Sequence, residues 1–148
     1  MSEDKSEPVS EPFEPNIDWY LAALVDDVNG LEKGEGFGVT LTVSGQLVSG
    51  TMISGSEYFD LLGDAMVRGL PEDKAEAVKA YYSGPGDLYG PERDDDHSSP
   101  VYVHLKDARY FGWGGNPVPA SSGFLWRGKL TAVDAFSLGT LSSEDPEA

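Results

Sequence analysis

The stretch from Phe124 to Leu141 constrains the fold most strongly, because it combines strand-like alternation with charged residues and two glycines. Side chains of an extended backbone alternate between two faces, so this stretch has one apolar face and one mixed face. The apolar face comprises Phe124, Trp126, Gly128 and Leu130, and the mixed face comprises Leu125, Arg127 and Lys129. A second apolar run covers 133–141, and Gly139 marks a bend in it. The pattern predicts a hairpin or a bent strand pair.

The first part of the chain predicts a helix followed by a β-hairpin. Apolar residues recur at helical spacing between Ile17 and Leu31, with Asn16 as the expected N-cap and Gly30 as the C-terminal cap. Alternation in 39–43 predicts a strand, and the Ser44-Gly45 pair predicts the turn into a second strand, Gln46 to Ser54. Gly50 is expected to bend this second strand.

A helical pair and a second hairpin follow. Ser54 and Glu57 predict a capping box at the start of a second helix, and Pro71 is the expected first residue of a third. Alternation resumes at Pro100 and continues to Phe111, so a strand leads through the 112–123 turn into Phe124. The expected fold class is α+β: a small bent antiparallel sheet or partly open barrel with an N-terminal helix, and a helical pair inserted between two hairpins.

The net charge of −16 is unevenly distributed along the 148 residues. Residues 1–15 are acidic and contain three prolines, which predicts a disordered arm. Residues 83–99 have turn chemistry without a period and predict a mobile acidic loop, and 142–148 form an acidic tail. A single domain is therefore expected over 16–141. Within it, residues 100–141 form the only basic part of the chain, with a net charge of +2.

Composition excludes several classes of function. The chain has no cysteine, which rules out thiol catalysis and thiolate metal sites. An acidic chain repels polyanions, so nucleic acid is not an expected partner. No stretch approaches the roughly 20 apolar residues that a membrane span needs, and no signal sequence is recognised. A soluble cytoplasmic protein is expected.

The candidate chemical sites favour ordinary structural roles. The Asp94–His97 run lacks the ligand spacing of a Ca²⁺ loop and the partners of a Zn²⁺ site, so a solvated loop is the better interpretation. His104 and Asp107 lie near each other in sequence, but no nucleophile motif accompanies them. His104 is interpreted as a sheet-surface histidine. We therefore expect no catalytic residue, cofactor or metal, and no enzymatic activity.

The basic residues around the opening stretch predict an interaction surface. Arg127, Lys129 and Lys106 are expected to point outward while Trp126 packs inward. Asp134 is expected to cap the turn or to pair with Arg127 or Lys129. A hairpin that only stabilises itself remains an equally open interpretation.

Several ordered blocks of the chain form a recognisable series. The blocks are Gly50–Ser54 with Glu57–Phe59, then His104–Ala108, which includes Lys106 and Asp107, then Trp126, Arg127, Gly128 and Lys129, then Val133, Asp134, Phe136, Leu138 and Gly139. In this order they resemble gas vesicle accessory proteins of the U type. The resemblance implies a non-enzymatic, gas vesicle associated factor in the cytoplasm. It further implies binding to the vesicle shell or other gas vesicle proteins, an influence on assembly or clustering, and possible self-association.

A second reading comes from the order of the predicted elements. A helix followed by a glycine-bent hairpin is similar to the start of an Sm-like barrel. The alternative function is therefore a small nucleic-acid or nucleotide-binding protein. The charge of −16 disfavours this alternative.

Overall fold

The computed structural model describes residues 16–90, 99–112 and 114–142. The helices in this part of the chain are α1 (Trp19–Asn29), α2 (Gly55–Met66) and α3 (Glu72–Ser83). The strands are β1 (Phe37–Val43), β2 (Gln46–Ile53), β3 (Tyr102–Phe111), β4 (Pro117–Val118), β5 (Phe124–Lys129) and β6 (Val133–Leu138). The predicted disordered arm, the Asp94–His97 run and nearly all of the acidic tail lie outside the described residues.

Helix α1 begins two residues later than the sequence predicts. Its N-cap is Asp18, whose carboxylate accepts hydrogen bonds from the N–H groups of Tyr20 at 2.9 Å and Leu21 at 3.3 Å. The prediction of Asn16 as N-cap is therefore wrong, because the nearer carboxylate satisfies the free N–H groups of the first turn. Gly30 follows the last helical residue, as predicted.

The β1–β2 hairpin is confirmed, including its turn. Ser44 (φ 53°) and Gly45 (φ 81°) both adopt left-handed backbone conformations, which suits a two-residue turn between twisted strands. The expected bend at Gly50 is also present, because the β2–β3 register shifts between Ser49 and Thr51. A Cβ on Gly50 would lie 3.0 Å from the carbonyl oxygen of Lys106, so glycine permits this close approach of two backbones.

Strands β5 and β6 lie at opposite edges of the sheet. Strand β5 pairs with β3, and β6 pairs with β1 in the order β3-β2-β1-β6. The prediction that 124–141 forms its own hairpin is therefore wrong. A 3-10 turn, Leu130–Ala132, connects the two edges instead. It follows Lys129 and precedes Val133 without an intervening loop.

This short connection requires a strongly curved sheet. In a flat sheet, four strand spacings would place β6 about 19 Å from β5. The four residue steps from Lys129 to Val133 span at most about 14 Å. The sheet therefore curls until its edges approach, although no hydrogen-bonded ladder joins β5 to β6 in the described part of the chain. This confirms the predicted α+β class with a bent, open antiparallel sheet and the hairpins β1–β2 and β3–β5.

The concave side of the sheet and α1 enclose the main hydrophobic core. Its buried residues are mostly aliphatic: Leu21, Ala22, Val25, Val28, Val39, Leu41, Val48, Met52, Val103, Leu105, Ala108, Leu130 and Val133. Phe124, Trp126 and Phe136 pack at its margin. The apolar face predicted for β5 is thus the face that contacts the core.

Helix α2 covers part of the other side of the sheet, and α3 packs against α2. Ser54 accepts the N–H of Glu57 at 3.0 Å, as a capping residue does. The carboxylate of Glu57 does not return to Ser54 but binds Gly34 and Lys106, so the predicted capping box is only half formed. Pro71 precedes α3 as its N-cap instead of being its first helical residue.

The predicted loop at 83–99 begins with regular structure. Ser83 ends α3, and Gly84–Leu88 form a 3-10 helix next to α2. Gly86 and Gly90 are buried. The sequence did not predict this 3-10 helix, because five residues rich in Gly and Pro are too short to show a helical period. None of the helices in the described ranges is both long and apolar enough to cross a membrane.

Candidate functional site

The ten residues expected to form an interaction site occupy four places. His104, Lys106, Arg127 and Lys129 lie on the convex face of β3 and β5. Trp126 and Gly128 lie on the concave face of β5, and Asp107 lies at an irregularity in β3. Asp134, Phe136 and Gly139 lie on or just after β6, at the other edge of the sheet. The structure therefore does not gather all ten into one site.

His104 is buried, which corrects its interpretation as a surface histidine. Its alternation with Val103 and Leu105 does direct it to the convex face, but α2 and Tyr89 cover that face and leave it 1% exposed. Three aromatic rings surround the imidazole: Tyr58 at 4.7 Å, Tyr89 at 5.3 Å and Phe59 at 6.0 Å between ring centroids. These four residues are called the histidine cluster below.

The imidazole of His104 is neutral. Burial and, to a lesser extent, the Arg127 guanidinium lower the pKa of His104 to about 3, because both disfavour a second positive charge. Arg127 Nε donates a hydrogen bond to His104 Nε2 at 3.3 Å. Nε2 is then the acceptor, and the proton of the neutral ring resides on Nδ1. This neutral ring is suited to packing and to accepting a hydrogen bond, and unsuited to proton transfer near neutral pH.

Lys106 is held by Glu57 instead of being displayed to solvent. Its Nζ lies 2.7 Å from Glu57 Oε2, and the Glu57 side chain is only 9% exposed against 36% for Lys106. Glu57 Oε1 accepts the N–H of Gly34 at 2.8 Å. The carboxylate therefore joins α2 to β3 and to the loop before β1. Lys106 is therefore less available to a partner than Arg127 and Lys129 are.

Arg127 and Lys129 are exposed on the edge strand β5. The guanidinium carbon of Arg127 lies 3.8 Å from the ring centroid of Tyr102 and 5.5 Å from that of Phe59, within cation–π range. Lys129 faces Tyr102 in the register of β5 with β3. Among the described residues, Lys129 makes no ion pair. Tyr102, Arg127 and Lys129 together are called the basic edge.

Trp126 anchors β5 from the concave side. Its indole Nε1 donates a hydrogen bond to the Tyr110 hydroxyl at 2.8 Å. The ring extends over Gly128, where a Cβ would overlap it. Glycine at 128 therefore makes room for the indole, and the Trp126–Gly128 pair is explained by packing.

Asp107 belongs to the backbone geometry of β3. It has a φ of 53°, and its carboxylate accepts the N–H of Gly123 at 3.0 Å and contacts Arg109 at 3.4 Å. The register of β3 with β5 shifts between Leu105 and Ala108, around this residue. Asp107 thus stabilises a bulge and the following turn. Among the described contacts, none pairs it with His104, which removes the geometric basis for a catalytic dyad.

The three predicted residues of the β6 edge have separate surroundings. Asp134 is exposed and makes no ion pair with the described residues, so the expected pairing with a cation is absent there. Phe136 stacks on Tyr20 with ring centroids 6.4 Å apart. Gly139 has a φ of 99° and donates its N–H to the carbonyl oxygen of Gly38 at 2.8 Å, which confirms a glycine-dependent bend after β6.

Sequence reasoning missed Tyr89 and the role of Glu57. Tyr89 lies in the segment interpreted as a loop, and its ring occupies the space where a Cβ of Gly55 would be. An aromatic residue next to Leu88 in an otherwise polar stretch was the available signal. Glu57 was interpreted only as part of a capping motif. Its contact with Lys106 has no local sequence signal, because the two residues are 49 positions apart.

No group of three or more potential metal ligands occurs within the described residues. The arrangement instead places an exposed basic edge next to two aromatic rings, Tyr102 and the buried Phe59.

Comparison with known proteins identifies the family. The family model "Gas vesicle protein GvpU-like" matches residues 18–141, which is most of the chain. No curated protein and no solved structure matches the chain at a significant level. The matched region includes every described helix and strand. The chain therefore belongs to the GvpU-like family of gas vesicle proteins and is a gas vesicle accessory protein.

Proposed function

We propose that this protein is a non-enzymatic, cytoplasmic binding module that associates with gas vesicles and modulates their assembly or clustering. The basic edge contacts an acidic surface on the vesicle shell or on another gas vesicle protein. The basic edge of one copy also contacts the acidic segments of another copy, which gives self-association through the same kind of charge pairing. Family membership supports the vesicle context.

The exposure of Arg127 and Lys129 carries the proposal. Four basic side chains lie on β3 and β5, but Lys106 binds Glu57, and Arg109 binds Asp107 and the carbonyl oxygen of Ser121. Only the other two remain exposed, and they occur on an edge strand of a rigid sheet. Tyr102 restrains Arg127 through its ring, which reduces the entropy lost on binding.

The test reverses the charge of the basic edge. We expect the double substitution Arg127→Glu with Lys129→Glu to abolish recovery of the protein with purified gas vesicles. Wild-type recovery should decrease as salt is added, because exposed charges are screened. The matched control is Arg68→Glu with Lys74→Glu, which makes the same change in net charge at two exposed positions outside β3 and β5.

Arg127 also contacts His104, so the fold of the double variant must be checked by its unfolding transition. Lys129→Glu alone avoids this contact and should weaken vesicle recovery without affecting stability. Unchanged recovery of both variants, or an equal loss in the Arg68/Lys74 control, would contradict the proposal.

The nucleic-acid alternative has less support. The chain is strongly acidic, and two of the four basic residues on β3 and β5 already have acidic partners. Phosphate binding depends on several unpaired Lys and Arg side chains in one place.

A further inference from the structure

In the described part of the chain, the β6 edge of the sheet carries no further strand, and it differs from the basic edge. Among the described residues, β6 pairs only with β1. Its six residues contain no Lys and no Pro, the residues that commonly protect edge strands. Such an edge can accept a further strand.

The register of β6 shows which backbone groups are available. Gly139 donates its N–H to Gly38, and Thr40 is opposite Ser137 two residues further along. Hydrogen-bonded pairs alternate along antiparallel strands, so Ser137 and Ala135 point their N–H and C=O groups toward β1. The corresponding groups of Phe136 and Leu138 therefore point away from β1, toward the open edge.

An apolar shelf adjoins these groups. Trp19 (58% exposed), Tyr20 (54%) and Leu138 (69%) are large exposed side chains, and Phe136 contacts this group from the core side. The Trp19 and Tyr20 rings lie 5.5 Å apart, and Tyr20 stacks on Phe136. Phe136 and Leu138 share one face of β6 by alternation. Side chains of an added strand would meet this shelf at every second position.

The charge around the β6 edge is opposite to that of the basic edge. The residues that meet at this edge are Trp19 and Tyr20, which directly follow Asp18, with residues 133–139; they contain Asp134 and include no Lys or Arg. By contrast, β3 and β5 contain four Lys or Arg residues and one Asp. An extended segment with positive flanks complements the β6 edge, while a segment with negative flanks is repelled.

We propose that the β6 edge binds an extended segment of another protein, with alternating apolar side chains and Lys or Arg at its flanks. The segment adds to the sheet by hydrogen bonds to Phe136 and Leu138. Its apolar side chains pack on Tyr20 and Leu138. This surface is separate from the basic edge, so the protein has two docking surfaces of opposite charge.

The test uses two synthetic peptides and the full-length chain. Both peptides contain Val-Thr-Val-Thr-Val, one flanked by Lys-Lys and the other by Glu-Glu at each end. We expect the Lys-flanked peptide to bind about tenfold more tightly by calorimetry, and to shift the amide resonances of Phe136 and Leu138. The Arg127→Glu, Lys129→Glu variant should bind it as the wild type does, which separates this proposal from the proposed function.

Two substitutions on β6 make the test specific. Leu138→Pro removes an N–H that points to the open edge, a position where edge strands tolerate proline, and should lower the affinity about tenfold. Leu138→Ala keeps the N–H and should cause a smaller loss. Asp134→Lys, at an exposed position, should remove the preference for the Lys-flanked peptide.

Other results would overturn the proposal. These are no binding, equal binding of both peptides, or an unchanged affinity of folded Leu138→Pro. A concentration-dependent dimer that Leu138→Pro dissociates would assign the edge to a second copy. Slow hydrogen exchange at Phe136 and Leu138 in the free monomer would assign it to a segment of the same chain.

Discussion

The two sides of the curved sheet bury residues of different chemistry. On the concave side, α1 and the sheet enclose aliphatic side chains such as Leu41 and Leu105, both fully buried. On the convex side, α2 and Tyr89 cover the histidine cluster and the Glu57–Lys106 pair. The concave side is stabilised mainly by the burial of apolar area. The convex side depends on ring contacts, hydrogen bonds and one ion pair, so each polar group there needs its partner.

This difference explains how the basic edge is supported. Arg127 contacts His104 through a hydrogen bond and Phe59 through a cation–π contact, and both partners belong to the histidine cluster. The concave core defines the shape of the sheet, whereas the convex cluster positions a functional side chain. Substitutions on the two sides should therefore change the free energy of unfolding by different amounts. These changes should also differ in their pH dependence and in how a second substitution alters them.

The largest effect is expected in the concave core. Leu105→Ala should reduce the free energy of unfolding by about 2–5 kcal/mol, because it removes fully buried methyl groups and leaves a cavity. Urea denaturation followed by circular dichroism measures this loss. Val101→Ala, at an exposed position just before β3, is the control and should change stability by less than about 0.5 kcal/mol. Similar losses in the two variants would show that the concave side is not the main core.

An intermediate effect is expected from the ion pair on the convex side. Lys106→Met should cost about 1–3 kcal/mol, since the buried Glu57 carboxylate would retain only the Gly34 N–H as a partner. The double variant Lys106→Met with Glu57→Gln removes that unpaired charge and should be more stable than Lys106→Met alone. A double-mutant cycle from urea denaturation tests this. Additive losses would mean that the two side chains act independently.

The smallest change in the free energy of unfolding is expected for a shift of one pH unit. The pKa of His104 is lowered to about 3 in the folded protein by burial and by Arg127, against its ordinary value of 6.5. The neutral ring therefore stabilises the fold fully above pH 6.5. This contribution is lost by about 1.4 kcal/mol per pH unit as the pH falls from 6.5 toward 3, since the unfolded chain then binds the proton.

The pH measurement compares the wild type with His104→Phe, because the many carboxylates titrate in both proteins. The difference between their unfolding free energies should stay constant above pH 7 and shrink between pH 6.5 and 5. Leu105→Ala should keep a constant difference from the wild type over the same range. Parallel curves for wild type and His104→Phe would rule out a buried neutral histidine.

The concave side could be predicted from sequence, since its pattern is local. Alternation in β1 and the Ser44-Gly45 turn specified the first hairpin, and the apolar face of β5 was assigned correctly. The convex side could not be predicted in the same way. Alternation correctly placed His104 opposite Leu105, but burial there depends on α2 and Tyr89, which are distant in sequence.

The assignment of strand partners shows the same limit. Two strands separated by three residues favour a hairpin on local grounds. Strand β6 pairs with β1 instead, and Leu130, in the 3-10 turn that connects β5 to β6, is buried in the core. The site residues divide accordingly. Arg127 and Lys129 could be recognised as exposed from alternation and charge. The ion pair between Lys106 and Glu57 could not be predicted, because it depends on a tertiary contact.

The pairing of β6 with β1 also affects how the chain folds during synthesis. Val39 pairs with Leu138, so β1 leaves the ribosome almost a hundred residues before its second neighbour. Until then, β1 has β2 on one side only, and the α1 side of the core lacks Val133 and Phe136. Pairing over such a sequence distance slows folding and prolongs the exposure of apolar strands. The domain is therefore expected to complete its fold only once β6 has left the ribosome, and to be destabilised by any truncation that removes β6.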